Sequence, residues 1–281
     1  MCGSSVAYCV MSTLVRLPQD MNPYVTVFFR FTIGLGLLGI LAMSGRINLK
    51  FVHTPFLVLR GLAGATAVFI WFLSISALGL GKGTVIFYSY PVFASVFSVI
   101  FLKERVSLLK WVAAAFAFAG VVLLVLGKDI GNPSIYSIGI YEIIAVLGAV
   151  LGGSAVILVK KLVETDSSSS IYFAQCLAGF WLFIGPANLS GGSLEYSGFF
   201  LLICVGVTAT IGQLLMTEGY RHIPVTTGAT LIMLVPVLNM VTGIFIFKEP
   251  VSSIEIAGAA IVVVSSAFLA IYDAISKPLT S

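Results

Sequence analysis

One arginine stands inside a long apolar run, in a position suited to binding an anion. Arg30 is the only charged residue between Val25 and Met43. If this run spans a membrane, a guanidinium on it costs about 2.5–3.5 kcal/mol by insertion scales, and such residues usually face a protein interior or water. Two explanations stay open. In the first, Arg30 lines a polar cavity and either binds an anionic group, such as a carboxylate or phosphate, or tunes the electric field of the cavity. In the second, it extends to the outer interface or bonds the carbonyls of a neighbouring helix.

Further residues could complete a small-molecule site around that cation. Trp71 and Tyr88 combine an aromatic face with a polar tip, which suits the wall of a pocket. Tyr90 lies two residues from Tyr88, about 200° around a helix, so only one of them should face a cavity squarely, and Tyr88 is favoured. Gln175 and Asn239 are amides within apolar runs. The alternatives are interfacial placement for the aromatic residues and bonds between helices for the amides.

Two prolines fall inside predicted spans. Pro91 and Pro236 each remove a helical hydrogen bond and should bend the helix that contains them. A bent pair at equivalent positions suits a gate, and the alternative is a fixed kink that shapes packing.

Nothing in the sequence predicts an enzyme. The chain has only two histidines, His53 and His222, and no HExxH motif, paired aspartates or nucleophile elbow. It has no phosphate-binding Gly-rich loop, which excludes ATP-driven pumping by this chain alone. The cysteine spacing fits no metal site, and neither a cofactor nor nucleic acid is expected as a partner.

The composition places these residues on membrane-spanning helices. Of 281 residues, 59% are hydrophobic and 9% are charged, against about 25% charged in a soluble domain. The mean hydropathy is +1.11. We therefore predict an all-α polytopic membrane protein with about ten spans. The predicted spans are 1–17, 23–43, 55–78, 82–102, 107–126, 136–160, 169–189, 197–217, 224–247 and 252–272.

Basic residues orient these spans. With the N-terminus inside, most of them fall at cytoplasmic ends, so the positive-inside rule predicts that both termini are cytoplasmic. The predicted cytoplasmic set is Arg46, Lys50, Arg60, Lys103, Arg105, Lys110, Lys160, Lys161, Arg221 and Lys277, and the outer set is Arg16, Lys82, Lys128 and Lys248.

The second half of the chain repeats the first. The segment FLKERVS (101–107) matches IFKEPVS (246–252) at an offset of 145, which also pairs Pro91 with Pro236. Each half holds five predicted spans, an odd number, so the halves enter the membrane from opposite sides as an inverted repeat. We assign residues 1–130 to the first repeat and 131–281 to the second. The offset pairs Met1 with Val146, which predicts a first helix truncated at its N-terminus.

The same offset gives Arg30 a partner. It falls opposite Gln175, so both repeats place a polar side chain about one third of the way along their second helix. Symmetry-related polar groups predict a shared polar cavity near the middle of the membrane.

These motifs resemble the EamA-type branch of the drug/metabolite transporter superfamily. The resemblance rests on FFRF in the second span, SALGLGKGTV after the third, and YPVFASVFSVIFLKERVSLLKW, which IPVTTGATLIMLVPVLNMVTGIFIFKEPVSSIEIAGAAIV echoes in the second half. It implies ten helices in two five-helix repeats and small-molecule transport by alternating access. Pro250 departs from the pattern, since it replaces the basic residue after Glu249.

The expected function is therefore secondary transport of a small organic metabolite. The single cation beside aromatic residues favours a zwitterionic or anionic substrate, such as an amino acid or an adenosyl-type cofactor. The alternative is a structural or lipid-moving membrane protein without a soluble substrate. Membrane lipids are expected partners, and a homodimer stays open. The lack of targeting signals and large loops favours a bacterial inner membrane, or a parasite or organelle equivalent.

Overall fold

The described residues form eleven α-helices and no strands. The computed structural model describes residues 1–17, 22–126, 139–189 and 196–276, except for some side chains between 75 and 85 and at helix ends. The helices are α1 (Cys2–Arg16), α2 (Pro23–Met43), α3 (Thr54–Phe87), α4 (Tyr90–Phe101), α5 (Leu108–Leu126), α6 (Ile140–Leu162), α7 (Ser168–Leu189), α8 (Tyr196–His222), α9 (Val225–Ile232), α10 (Leu234–Phe247) and α11 (Ser253–Ser276).

These helices confirm the predicted all-α polytopic class. Seven segments of the described chain are long and apolar enough to cross a bilayer, and α9 with α10 forms one of them. Two further apolar helices, α4 and the start of α5, are shorter. Together with α1 they give about ten spans, as predicted. The protein is therefore an integral, multi-pass membrane protein.

The fourth and ninth spans are broken, in each case just before a proline. We expected α3 to end at 78, but it continues to Phe87, because no proline interrupts it and single glycines cost a helix only about 1 kcal/mol. Pro91 lies in the first turn of α4, after a break at 88–89. Pro236 lies in the first turn of α10, after a break at Met233. Both spans are interrupted where the missing proline N–H groups predict.

The helices pack so that exchanging the two halves reproduces the contacts. Helix α3 packs along α6, and the equivalent α8 packs along α1. Helix α3 also contacts α7, as α8 contacts α2, while the pairs α2–α7 and α5–α11 each join a helix to its own counterpart. The repeats are thus interleaved rather than side by side. The predicted boundary between them, at 130/131, lies outside the described residues.

Close glycine contacts confirm the offset of 145 at single residues. A Cβ added at Gly34 would lie 2.8 Å from Cys176, and one at Gly179 would lie 2.2 Å from Phe31. Residues 34 and 179, and residues 31 and 176, are equivalent under the offset, so these are the same contact seen from each half. Two more contacts occur in both halves at the same offset. The contact of Gly61 with Ala178 corresponds to that of Gly206 with Ile33, and the contact of Gly3 with Leu215 corresponds to that of Gly148 with Ile70.

The Lys-Glu motif has the same backbone in both halves. Lys103 and Lys248 have φ values of 55° and 54°, a left-handed conformation that is uncommon outside glycine. The next N–H, of Glu104 or Glu249, donates to the carbonyl of Ser98 or Gly243 at 3.2 Å or 3.1 Å. This closes the helix end as a Schellman motif does, in a turn one residue wider. The motif therefore ends α4 and α10, and we call the two ends of the bundle the Glu104 end and the Glu249 end.

The contact of α5 with α11 should tolerate no added methyl group. A Cβ at Gly258 would lie 2.5 Å from the Leu124 backbone nitrogen and 2.6 Å from the Gly120 carbonyl oxygen. Gly258→Ala should lower the melting temperature of the purified protein by several degrees, because overpacking costs about 1–3 kcal/mol. Gly36→Ala is the matched control, since its Cβ meets nothing within 4 Å. An unchanged melting temperature for Gly258→Ala would contradict this packing.

Candidate functional site

A cavity lies between the two halves, and both contribute its wall. Its volume is about 100 Å³. The wall comes from α1 to α4 and from α6 to α10, and it is mainly apolar, with a few polar groups. Its polar and aromatic side chains include Tyr8, Arg30, Arg60, Trp71, Phe87, Tyr88, Tyr90, Gln175 and Gln213.

Arg30 reaches this cavity from α2. Its side chain is 3% exposed, which excludes the alternative that it extends to the membrane interface. The Nη1 atom lies 3.6 Å from Met11 Sδ, and Nε has no hydrogen-bond partner among the described residues. A thioether is a weak acceptor, so the described residues give the Arg30 guanidinium no strong hydrogen-bond partner.

Arg60 is a second buried cation in the same wall. We expected it at a cytoplasmic helix end, but it is 3% exposed and lines the cavity, so that prediction was wrong. Its Nη2 donates to Gln175 Oε1 at 3.1 Å. Gly64, one turn along α3, makes the space, because a Cβ there would lie 1.8 Å from Arg60 Nη1. The Arg60 guanidinium on α3 therefore contacts the side-chain amide of Gln175 on α7.

Aromatic rings form another part of the wall. Trp71 stacks on Phe87, with ring centroids 5.4 Å apart. Tyr88 and Tyr90 both line the cavity, with ring centroids 6.2 Å apart. The expectation that only one tyrosine would face it was wrong, because Tyr88 lies in the break before α4, where helical geometry does not apply. These rings offer flat apolar surface beside the two cations.

A hydrogen bond between Tyr8 and Gln213 joins the first repeat to the second within the cavity wall. The Tyr8 hydroxyl donates to Gln213 Oε1 at 2.8 Å. The amide nitrogen of Gln213 has no partner in the described part of the chain. Gln213 therefore resembles the arginines in leaving a donor free beside the cavity.

The cavity wall is rich in free donors and poor in acids. Neither Arg30 nor Arg60 forms an ion pair with any described residue, and no described lining residue is acidic. Within the described ranges, the buried lining atoms without a partner are all nitrogens: Arg30 Nε, Arg60 Nε and Nη1, Trp71 Nε1 and Gln213 Nε2. Such groups are costly to bury unsatisfied, and clusters of them mark functional sites.

The cavity gathers four of the five predicted binding residues. Arg30 and Gln175, paired by the repeat offset, both line it, as do Trp71 and Tyr88. Asn239 does not, and it lies on α10 with its Oδ1 unpartnered by the residues described.

The predicted gating residues lie beside the cavity wall rather than in it. Pro91 and Pro236 stand at the breaks of the fourth and ninth spans, and neither lines the cavity. Their role in gating stays a prediction.

Sequence reasoning missed Arg60, Tyr8 and Tyr90 as lining residues. The offset places Val205 opposite Arg60, so no symmetric polar signal drew attention to it. Arg60 is also only seven residues into α3, close enough to a helix end to resemble an interfacial cation.

Charged groups tie the helices at the Glu249 end. Arg16 at the end of α1 pairs with Glu249 after α10, and its guanidinium lies 4.6 Å from the centroid of the Phe247 ring. One repeat is thereby fastened to the other.

Different ties hold the Glu104 end. The Glu104 carboxylate accepts the Val225 N–H at 3.2–3.3 Å and so caps α9. Lys110 pairs with Asp273, which also accepts from the Thr227 hydroxyl, joining α5, α11 and α9. The structure therefore holds helices of the two halves together at both ends of the bundle.

Comparisons with known proteins agree with this architecture. The chain matches the EamA-like transporter family over residues 1–126 and 139–271. It is 26% identical over 273 residues to the pseudopaline exporter CntI of Pseudomonas aeruginosa, a match that covers 93% of this chain and 91% of that protein. It is also 26% identical over 273 residues to an S-adenosylmethionine uptake transporter of Rickettsia bellii, covering 95% of this chain and 89% of that protein.

Two further similarities are weaker in extent or in identity. Solute carrier family 35 member G1 of Mus musculus is 33% identical over 176 residues, which cover 59% of this chain and 48% of that protein. A crystal structure superposes with a TM-score of 0.82, covering 98% of this chain and 96% of that one, at 15% identity. The last similarity concerns the fold alone.

The buried arginines should lower the stability of the ligand-free protein. Arg30→Gln and Arg60→Gln should each raise the melting temperature of the purified protein, since each removes a buried charge that costs about 2.5–3.5 kcal/mol. Arg46→Gln is the control, because Arg46 is exposed after α2. A lower melting temperature for both cavity variants would show that the arginines hold the helices together instead.

Proposed function

The chain belongs to the EamA-like transporter family, and on that premise we propose a secondary transporter that moves a small organic metabolite bearing an acidic group, by alternating access. The observation that carries the proposal is the pair of buried guanidiniums, Arg30 and Arg60, in one cavity between the repeats. Inverted-repeat transporters bind substrate near the midplane at such an interface.

The cations and the rings suit different parts of one substrate. A guanidinium can hold a carboxylate or phosphate through two parallel hydrogen bonds. Trp71 and Tyr88 can stack on a planar group or hold a cation over a ring face. An amino acid and an adenosyl-type cofactor both have an acidic group and a second part that could contact the rings. The names of two relatives, an exporter of pseudopaline and an uptake transporter of S-adenosylmethionine, also point to small organic metabolites.

The small cavity supports a cycle with more than one conformation. Ligand pockets typically measure about 300–1,000 Å³. At about 100 Å³ this cavity must widen to admit a cofactor-sized molecule. Since helices are tied at both ends, we interpret this conformation as a closed one. The breaks before Pro91 and Pro236 lie in equivalent spans beside the cavity, and we assign them the role of hinges.

The end contacts differ between the halves, as alternation requires. Glu104 and Glu249 occupy equivalent positions, yet Glu104 caps α9 while Glu249 pairs with Arg16. A repeat that adopts the conformation of its counterpart would exchange these contacts. Access would then open at the Glu249 end when the Arg16 pair breaks.

The rival function is a structural or lipid-moving protein. A lipid path needs an apolar route open to the bilayer, whereas this cavity concentrates buried donors between the repeats. We therefore favour a soluble substrate. A bacterial inner membrane with both termini in the cytoplasm remains our proposed location, and it places the Glu104 end inside.

Uptake by proteoliposomes tests the function. A panel of radiolabelled metabolites should contain at least one acidic compound that enters saturably. Arg30→Gln and Arg60→Gln should each lower its kcat/KM at least about tenfold, because each removes a charge-assisted contact. Arg46→Gln should transport as the unaltered protein does. Uptake that survives both cavity variants would contradict the assigned site, and no saturable uptake of any compound, with or without a proton gradient or internal exchange substrate, would favour the rival function.

The Arg16–Glu249 pair should control access at its own end. A cysteine introduced in the cavity wall by Ser12→Cys reports that access through its reaction with a membrane-impermeant thiol reagent. Glu249→Gln should speed this labelling when the reagent is added from the Glu249 side, because the neutral amide holds Arg16 less tightly.

A matched variant and the side of addition make this test specific. The control is Glu164→Gln, which neutralises an exposed carboxylate near the opposite end. Tandem mass spectrometry of the peptide that contains position 12 assigns the label to that residue, since Cys2 and Cys9 lie in the same tryptic peptide and Cys176 and Cys204 lie in another. An unchanged rate, or a faster rate from the Glu104 side only, would contradict a gate at the Arg16–Glu249 pair.

A further inference from the structure

We propose that the substrate carries two acidic groups and a net negative charge, one group for Arg30 and one for Arg60. This inference rests on the proposed function and narrows its substrate class from any acidic metabolite to a dianion. Its basis is the balance of charge and of hydrogen-bonding groups in the cavity wall.

The balance of charge comes first. The two guanidiniums line one cavity, each with 3% exposure, and neither pairs with an acid among the residues described. The wall is therefore doubly positive. A substrate with one carboxylate and one ammonium would leave the wall as positive as before, since a zwitterion adds no net charge. Two acidic groups neutralise the wall completely, which matters in a site of low dielectric constant.

The hydrogen-bonding groups favour the same class. The unpartnered buried atoms of the wall are donors on Arg30, Arg60, Trp71 and Gln213, and no buried acceptor oxygen of a described lining residue lacks a partner. A substrate must therefore supply acceptors. A carboxylate or phosphate offers acceptors only, whereas an ammonium offers donors only. The acceptors that this wall has for an ammonium are neutral oxygens, such as the Tyr88 and Tyr90 hydroxyls, with no carboxylate among the described lining residues.

The two cations are also held differently. Arg60 is positioned by Gln175 and by the space at Gly64, and its Nε and Nη1 have no partner among the described residues. Arg30 contacts the sulfur of Met11 through Nη1, and its Nε is likewise without a partner in those residues. Because they project from α3 and α2, they can hold separate acidic groups of one molecule, and Arg60 has the more rigid placement.

Binding to the purified full-length chain tests this without transport. The probes are two pairs of similar size in which one member has two acidic groups and the other has one: glutarate against its monoamide glutaramate, and, as the phosphate arm, 3-phosphoglycerate against glycerol 3-phosphate. S-Adenosylmethionine and methionine are the zwitterionic or cationic comparison. Thermal stabilisation at constant ionic strength, repeated over a concentration series, gives an apparent affinity for each probe.

We expect the probe with two acidic groups, glutarate or 3-phosphoglycerate, to bind at least about tenfold more tightly than its partner with one acidic group. Arg60→Gln and Arg30→Gln should each abolish that preference, while Arg60→Lys should keep part of it because the charge remains. Arg46→Gln should keep it fully. Whichever of glutarate and 3-phosphoglycerate binds more tightly tells whether the second acidic group is a carboxylate or a phosphate.

Equal binding within each pair, tighter binding of methionine or S-adenosylmethionine than of every dianion, or no binding by any dianion would overturn the inference. These outcomes are separate from failure of the proposed function. Saturable uptake of a zwitterion with no dianion preference would overturn the substrate class alone. Dianion binding without any uptake would support the site while contradicting transport.

Discussion

Two guanidinium groups, those of Arg30 and Arg60, are buried among membrane-spanning helices with no acid from the described residues to neutralise them. The surrounding structure must therefore stabilise two buried positive charges. A buried charge in hydrocarbon persists only where the protein gives it a polar or wet surrounding, and here the surrounding is a cavity built by both halves of the chain. Gly64 and Gln175 serve this end, since one makes space for a guanidinium and the other accepts its hydrogen bond. An arrangement kept at such cost is most simply explained by a ligand that completes it.

The inverted repeat explains why the cavity lies between the two halves, and it supports the proposed alternation. Close contacts such as Gly34 with Cys176 and Gly179 with Phe31 show that each half packs on the other through the same surface. Two conformations related by exchange of the halves would then have similar packing energy, which favours alternation between them. The halves also differ from each other. Polar groups are placed unequally in the cavity, and the ties at the Glu104 and Glu249 ends are not the same.

The sequence was informative where a pattern repeated. The offset of 145 predicted the pairing of the halves, the shared position of Arg30 and Gln175, and the breaks near Pro91 and Pro236. It was not informative where a residue had no counterpart. Arg60 lies opposite an apolar residue, and its placement depends on the helix-to-helix contact that Gly64 permits. Tyr90 follows a break in the helix, and Asn239 lies on α10, which begins after the break at Met233, without lining the cavity. Such details come from tertiary packing, which local periodicity does not contain.

The most direct measurement is a crystal structure of the protein with bromosuccinate, in which anomalous scattering locates the bromine. Our account predicts one bromine site in the central cavity, with one carboxylate within hydrogen-bonding distance of Arg30 and the other within reach of Arg60. Arg60→Gln crystals grown in the same way should lose it. Bromine found only at the bundle ends or on the lipid-facing surface, with the guanidiniums unchanged, would contradict the claim that these two cations form the substrate site.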